Sequence, residues 1–330
     1  MSSYVITGVS RGLGFEFIRQ LSETPSNTIF GLVRNKAAVE TKVVAEIGRE
    51  NIHIIEADTT DPEALKKAAE YVSSKTDGKL DYLIANAALQ AKTAMVGFDT
   101  LSQDPHSLET DLLTHYRTNT IGAIHLINTF IPLILRGPTK KIIAISTGIS
   151  DPEMTLKADI YQATSYSMSK AALNMAVAKF SALYRQRGVL VMAVCPGAVD
   201  TGSLEIETEE DKKLAMQLFA KFQEYSPTFQ GPARVEDSVR SVLKLVNKAT
   251  VDGGSIRRPG PHPILDNEAI KKGMAALKTS GTRINFEFEL ESDGYKQLLD
   301  HVCNRRLLGP CDGQLDPELA EDQIEAIEIL

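Results

Sequence analysis

Short apolar runs alternate with stretches that repeat apolar residues every three or four positions through the first 260 residues of this chain. The runs fall at 4–7, 28–33, 52–57, 80–85, 141–146 and 189–195, with a shorter one near 250–256. Most are continuous rather than alternating, which suits strands covered on both faces. Between them the period becomes helical. Leu13, Phe17 and Leu21 follow the first run, and Leu65, Ala68, Ala69 and Val72 follow the third. Pro62 behind Asp61 marks the start of the second of these helices, because proline gives up only an N–H that a first turn leaves unpaired. Longer helices are expected at about 106–135 and 166–187. Strand and helix in turn predict an α/β fold, a Rossmann-type doubly wound parallel sheet of about seven strands with helices on both faces.

The alternation breaks at Arg257-Arg258-Pro259-Gly260-Pro261-His262-Pro263, where three prolines in five positions exclude regular structure. A boundary there divides the chain into a domain at 1–262 and a small C-terminal α+β extension at 263–330. Within the extension a helix is expected over 265–278. An alternating strand carrying Ile284, Phe286, Phe288 and Leu290 follows, and then a helix after Ser292.

The first strand runs directly into Thr7-Gly8-Val9-Ser10-Arg11-Gly12-Leu13-Gly14. Glycines there let the backbone turn tightly and let a phosphate approach, while the following helix aims its free N–H groups and positive dipole end at the same spot. A dinucleotide site is the expectation.

Composition narrows the field. Hydrophobic residues make up 43% of the chain, enough for a core, and no run approaches the roughly 18 apolar residues of a membrane span. The N-terminus does not read as a signal peptide. Cys195, Cys303 and Cys311 show no metal-ligand spacing, and the histidines pair with no second ligand, so no metal is expected. Reduced thiols point to the cytoplasm. The net charge of −7 is concentrated in Asp316, Glu318, Glu321, Asp322, Glu325 and Glu328, which leaves about −1 for the rest. A body without a basic stripe excludes a nucleic-acid binder.

Tyr166 and Lys170 stand four apart on a predicted helix and therefore on one face. A nearby ammonium favours a phenolate and is expected to lower the Tyr166 pKa. The spacing is cheap, since Tyr71 and Lys75 repeat it. Tyr166 differs in following the fifth strand, at the carboxyl edge where such sheets bind ligands.

Taken in order, the glycine turn at 7–14, Asp58, Asn86-Ala87-Ala88, Asn119, a hydroxyl closing the fifth strand, Tyr166-Ser167-Met168-Ser169-Lys170 and Pro196-Gly197 resemble the short-chain dehydrogenase/reductase family over residues 1–260. The wording at 32–35, 83–89 and 195–201 is most similar to fungal carbonyl reductases of the norsolorinic acid ketoreductase-like kind. The resemblance implies that Tyr166 gives a proton to a carbonyl oxygen, that Lys170 holds the nicotinamide ribose, and that Asn119 holds a water linking Lys170 to solvent. It implies a catalytic hydroxyl at the end of the fifth strand. Register favours Thr147 over Ser146. Gly8, Ser10, Arg11, Gly12, Leu13 and Gly14 would cradle the cofactor, with Asn86 and Ala87 beside them. Asp58 would accept from the adenine amino group next to Thr59, Pro196 and Gly197 would also bind the cofactor, and Val199 and Thr201 after them would meet the nicotinamide carboxamide.

No Asp or Glu occurs from 24 to 39, whereas Arg34 closes the second strand and Arg11 sits in the turn. Guanidinium groups suit a 2′-phosphate, so NADP(H) is the expected cofactor. A small-molecule ketone or alcohol is the expected substrate. Its pocket would form from 88–105, 148–165 and 202–226, where Leu89, Met95, Phe98, Met154, Leu204, Met216, Phe219 and Phe222 suit an apolar, aromatic or polyketide-like ligand. By resemblance the protein would pair as a homodimer or homotetramer through the two long helices.

Overall fold

The computed structural model describes residues 1–91, 95–202, 208–251 and 256–257. The expected extension at 263–330 and the expected lining residue Leu204 lie outside the described residues. Seven strands form one parallel sheet. They are β1 (Ser3–Thr7), β2 (Thr28–Val33), β3 (Ile52–Glu56), β4 (Tyr82–Ala85), β5 (Lys141–Ile145), β6 (Leu190–Val194) and β7 (Ile256–Arg257). Their spatial order is β3-β2-β1-β4-β5-β6-β7, so the winding reverses between β1 and β4. Val5 of β1 faces Phe30 of β2 on one side and Leu83 of β4 on the other. Ligands of such sheets bind beyond the carboxyl ends of the strands at that reversal.

Ten α-helices are described: α1 (Gly12–Leu21), α2 (Lys36–Glu46), α3 (Pro62–Lys75), α4 (Phe98–Leu101), α5 (Pro105–Tyr116), α6 (Gly122–Arg136), α7 (Pro152–Lys157), α8 (Thr164–Tyr184), α9 (Glu209–Tyr225) and α10 (Val235–Lys248). Local chemistry sets several starts. Asp61 caps α3 by accepting from Glu63 and Ala64 N–H ahead of Pro62, and Asp104 and Pro105 repeat the device at α5.

The strand pleat sorts the core into two layers. Ile142 and Ala144 of β5 pack on one face with Leu65 of α3, Phe130 of α6 and Leu173 of α8. Ile143 and Ile145 pack on the other with Phe17 of α1 and Val242 of α10. A third, smaller cluster joins Met154, Ala158 and Ile160 to Ile149, Leu218, Phe222 and Tyr225, so α9 lies over the segment that follows β5.

The expected helix at 106–135 is not regular throughout. Arg117–Ile121 form a π-turn between α5 and α6, centred on Asn119. The stretch Pro105–Arg136 is long and apolar enough to cross a membrane by length and composition. Leu126, Ile127, Phe130, Leu133 and Ile134 nonetheless form core against the sheet, which accounts for that apolar character.

Candidate active site

Thr7 ends β1, and its hydroxyl accepts from the N–H groups of Asn86 (3.0 Å) and Ala87 (2.9 Å) beyond β4. The Asn86 amide donates to the Thr7 carbonyl at 2.9 Å. These bonds bring the glycine turn and the Asn86-Ala87 segment together at the sheet reversal. A Cβ on Gly14 would collide with the Gly8 carbonyl oxygen and lie 2.7 Å from Asn86 Nδ2. At Gly12, φ is +55°, and a Cβ would meet Thr201 at 3.2 Å. The cradle is therefore one that only glycine can line. Helix α1 starts without a side-chain cap or an acid in its first turn, which leaves its first N–H groups and positive dipole end open to an anion. Such a turn fits a dinucleotide pyrophosphate. Thr7 was not singled out among the site residues in the sequence, although a hydroxyl at the last position of β1 is visible there.

Other expected cofactor positions spread around this turn. Ser10 and Arg11 are exposed, as is Arg34 just past β2, and neither arginine makes an ion pair among the described residues. Lys42 reaches from α2 to within 3.3 Å of the Ser10 carbonyl and lies 4.3 Å from the centroid of the Phe15 ring. Leu13 packs its side chain into the core layer of α1. Asp58 accepts from the N–H and hydroxyl of Thr60 through one oxygen (2.8 and 2.9 Å), while Thr59 is buried where a Cβ on Gly122 would touch it. The Pro196 carbonyl accepts from the Ser238 hydroxyl at 2.8 Å, and Gly197 takes φ +87°. Val199 bridges to Ala233 and so carries the chain toward Thr201 over the turn.

The π-turn explains Asn119. The extra residue in the turn directs its buried amide sideways. Its Oδ1 accepts from Leu89 N–H at 2.7 Å, and its Nδ2 donates to the Leu89 carbonyl and to the Ser169 hydroxyl, each at 2.9 Å. Asn119 thus ties the loop after β4 to α8 within one residue of Lys170. Its neighbour Thr120 adds a bond to the Ser169 carbonyl at 2.8 Å.

Tyr166 and Lys170 share a face of α8, with the Lys170 Nζ 5.8 Å from the Tyr166 ring centroid. Lys170 is buried and donates to the Ile145 carbonyl at 2.7 Å. Burial pushes its pKa down to about 8. The Tyr166 phenol moves opposite to the sequence expectation: burial holds it well above its usual range, and the nearby Cys195 thiol adds to this. Desolvation outweighs the ammonium because Lys170 is directed to the strand carbonyl. The Tyr166 phenol accordingly stays protonated near neutral pH.

The two hydroxyls closing β5 differ. Ser146 continues the pleat of Ile142 and Ala144 toward α8 and donates to Asn174 Oδ1 at 2.7 Å. Asn174 donates in turn to Ser150 (2.8 Å), and Ser150 to the Thr147 carbonyl (2.6 Å). Thr147 makes no side-chain hydrogen bond among the described residues. Both hydroxyls line a cavity of about 310 Å³ with Asn174, Met175 and Cys195. Of the expected substrate-facing residues, Met154 and Phe222 belong to the small apolar cluster, Phe219 and Phe222 pack on Phe229, and Met216 is exposed. The expected loop at 151–165 contains α7. Gln162 and Ser165 on the approach to Tyr166 are buried with unpaired polar atoms, a property that only the tertiary structure reveals. Among the described residues no three His, Cys, Asp or Glu side chains gather as metal ligands would.

A glycine cradle at the reversal of a parallel sheet, with a half-buried Tyr166 over a buried Lys170 on the helix after β5, defines a dinucleotide-binding oxidoreductase. The short chain dehydrogenase family matches residues 3–213. Short chain dehydrogenase virK of Hypocrea virens is 47% identical over 257 residues, covering 77% of this chain and 95% of the relative. Short-chain dehydrogenase/reductase AacuF of Aspergillus aculeatus is 43% identical over 257 residues, covering 76% and 94%. Among solved structures, an NADPH-bound carbonyl reductase from chicken fatty liver superposes with a TM-score of 0.62 at 26% identity, covering 78% of this chain and 96% of that one. This chain belongs to the short-chain dehydrogenase family. It is therefore an oxidoreductase that uses a nicotinamide cofactor on carbonyl or alcohol groups of small molecules.

Proposed function

We propose that the protein reduces a ketone to an alcohol with NADPH. With its pyrophosphate in the glycine cradle, NADPH would supply the hydride that adds to the carbonyl carbon. Tyr166 then delivers its proton to the carbonyl oxygen, and Thr147, whose hydroxyl is uncommitted, orients that oxygen. Lys170 and Asn119 position Tyr166 and hold the path by which its proton returns. Arg11 and Arg34 hold the 2′-phosphate, Gly8 to Gly14 cradle the pyrophosphate, and Asp58 keeps one carboxylate oxygen for the adenine. The exposed Arg11 and Arg34, neither with an ion pair among the described residues, support the direction, because they suit the 2′-phosphate of the reducing cofactor NADPH.

The cytoplasm is the proposed location and a second copy of the chain the proposed partner. Exposed Leu113 and Tyr116 on α5 and Met168, Met175 and Leu183 on α8 support pairing through these helices. Parallel fluorescence titrations with NADPH and NADH test the cofactor. Tighter NADPH binding is expected, by about tenfold or more for a charge-assisted phosphate contact, and Arg34→Ala should erase the preference. Preference for NADH in the wild type would overturn the arginine assignment.

A further inference from the structure

Helix α8 grips the end of β5 at two successive turns. Lys170 donates to the Ile145 carbonyl at 2.7 Å, and Asn174, four residues on, meets the next positions of the chain. Its Oδ1 accepts from the Ser146 hydroxyl at 2.7 Å, and its Nδ2 donates to the Ser150 hydroxyl at 2.8 Å. The Ser150 hydroxyl has a single proton, which goes to the Thr147 carbonyl at 2.6 Å, so from Asn174 it can only accept. One amide therefore holds both flanks of Thr147, the preceding residue through the Ser146 hydroxyl and the Thr147 carbonyl through Ser150. An aspartate of the same shape could not do this, since an ionised carboxylate has no donor for Ser150.

Thr147 needs such a hold. Strand pairing with β6 ends at Ile145, Ser146 N–H still bonds to the Val194 carbonyl at 2.8 Å, and a 3₁₀ turn over Gly148–Ser150 begins directly after Thr147. The residue thus stands between sheet and turn. Asparagine is a poor choice for a helix interior, because its side chain competes for backbone groups, so its place inside α8 asks for a reason. Position 174 lines the same cavity as Ser146, Thr147 and Cys195. We infer that Asn174 is a positioning residue for the reaction: from the helix that carries Tyr166 and Lys170, it sets the direction of the Thr147 hydroxyl relative to the Tyr166 phenol. The inference rests on the reading of Thr147 as the hydroxyl that orients the ketone oxygen. Placement matters at this level, since an error of about 1 Å at a reacting group can cost roughly 10²-fold in rate.

Asn174→Asp keeps the shape and the acceptor for Ser146 and removes the donor to Ser150. It should lower kcat about 10- to 100-fold, with KM and the NADPH Kd by fluorescence within about twofold of the wild type. Ser150→Ala cuts the same link at its other end and should behave alike. Because the effect runs through one hydroxyl, adding either change to Thr147→Ala should lower kcat by no more than about a further twofold. Undiminished kcat in either single variant overturns the inference. So do losses that multiply with that of Thr147→Ala, the pattern of a merely structural role. Methyl NMR supplies an arm that needs no turnover. In protein labelled with ¹³C at its threonine methyl groups, the Thr147 signal is identified by its loss in Thr147→Ala. It should shift or broaden in Asn174→Asp and in Ser150→Ala, and a signal unchanged in Asn174→Asp overturns the inference. Wild-type kcat in Thr147→Ala itself would instead overturn the reading of Thr147, and the inference with it. Should no ketone be reduced, ketone reduction fails, and the methyl signal still judges Asn174.

Discussion

The chain carries the Tyr-x-x-x-Lys spacing twice, and the two copies separate what a motif provides from what its surroundings provide. On α3 and on α8 the lysine stands almost equally far from the tyrosine ring, 5.7 Å for Lys75 on Tyr71 and 5.8 Å for Lys170 on Tyr166. Helical geometry alone guarantees that much. Tyr71 is 41% exposed on the outside of α3, edge-on to Phe30 and His53, and Lys75 is solvated. Tyr166 and Lys170 follow β5, near Cys195 and the Ile145 carbonyl, where burial raises the phenol and lowers the ammonium. Identical spacing thus yields a solvated pair in one place and, in the other, a desolvated pair at the carboxyl edge of the sheet. The difference lies in desolvation.

Breaking each copy should give unequal results. The largest effect is expected from Tyr166→Phe, with turnover falling roughly 10²- to 10⁴-fold while NADPH binding by fluorescence is retained. Tyr71→Phe should leave turnover within about twofold, because it touches no reacting group. A protein with a purely regulatory role would show no difference between the two.

Lys170 sharpens the contrast through stability. Its folded pKa of about 8 lies below the ordinary 10.5, so below pH 8 the fold carries a buried ammonium at a cost of about 3 kcal/mol. Between pH 8 and 10.5 the folded chain has released a proton that the unfolded chain still binds, so the cost fades as pH rises. Lys170→Met should gain stability relative to the wild type at pH 7 and lose that lead by about pH 10.5, as read by denaturant unfolding across pH. A lead independent of pH would refute the assignment. Lys75→Met should shift stability by no more than about 0.5 kcal/mol at any pH.

A smaller effect divides the two hydroxyls after β5. Thr147→Ala should lower kcat/KM by about 10- to 100-fold with little change in melting, as for a lost polarising contact. Ser146→Ala leaves Asn174 Oδ1 without its donor and should cost about 1–2 kcal/mol of stability. The opposite pattern would make Ser146 the catalytic hydroxyl.

Much of the architecture was legible because it depends on local pattern. Runs such as Leu190 to Val194 are apolar at every position because both faces of the strand are covered, and each described strand falls within or against an expected run. The glycine turn was legible because positive φ and close approach at Gly12 and Gly14 leave few alternatives. The π-turn was not legible, since Arg117–Ile121 has no composition that distinguishes it from α-helix and is held by Leu89 and Ser169 from elsewhere in the chain. The Tyr166 pKa was read in the wrong direction because adjacency on a helix is visible in sequence and desolvation is not.

By itself the sequence determined the α/β alternation, the phosphate cradle and the presence of Tyr166 and Lys170 on one helix face. These follow from periodicity, steric permission and the 3.6-residue turn, all of which act over a few residues. Tertiary structure decided which of the two Tyr–Lys pairs has its lysine buried, that Ser146 is bound to Asn174 while Thr147 is not, and that Gln162 lies inside without a partner. Those outcomes depend on water being excluded and on partners tens of residues away, and both arise only when the layers close.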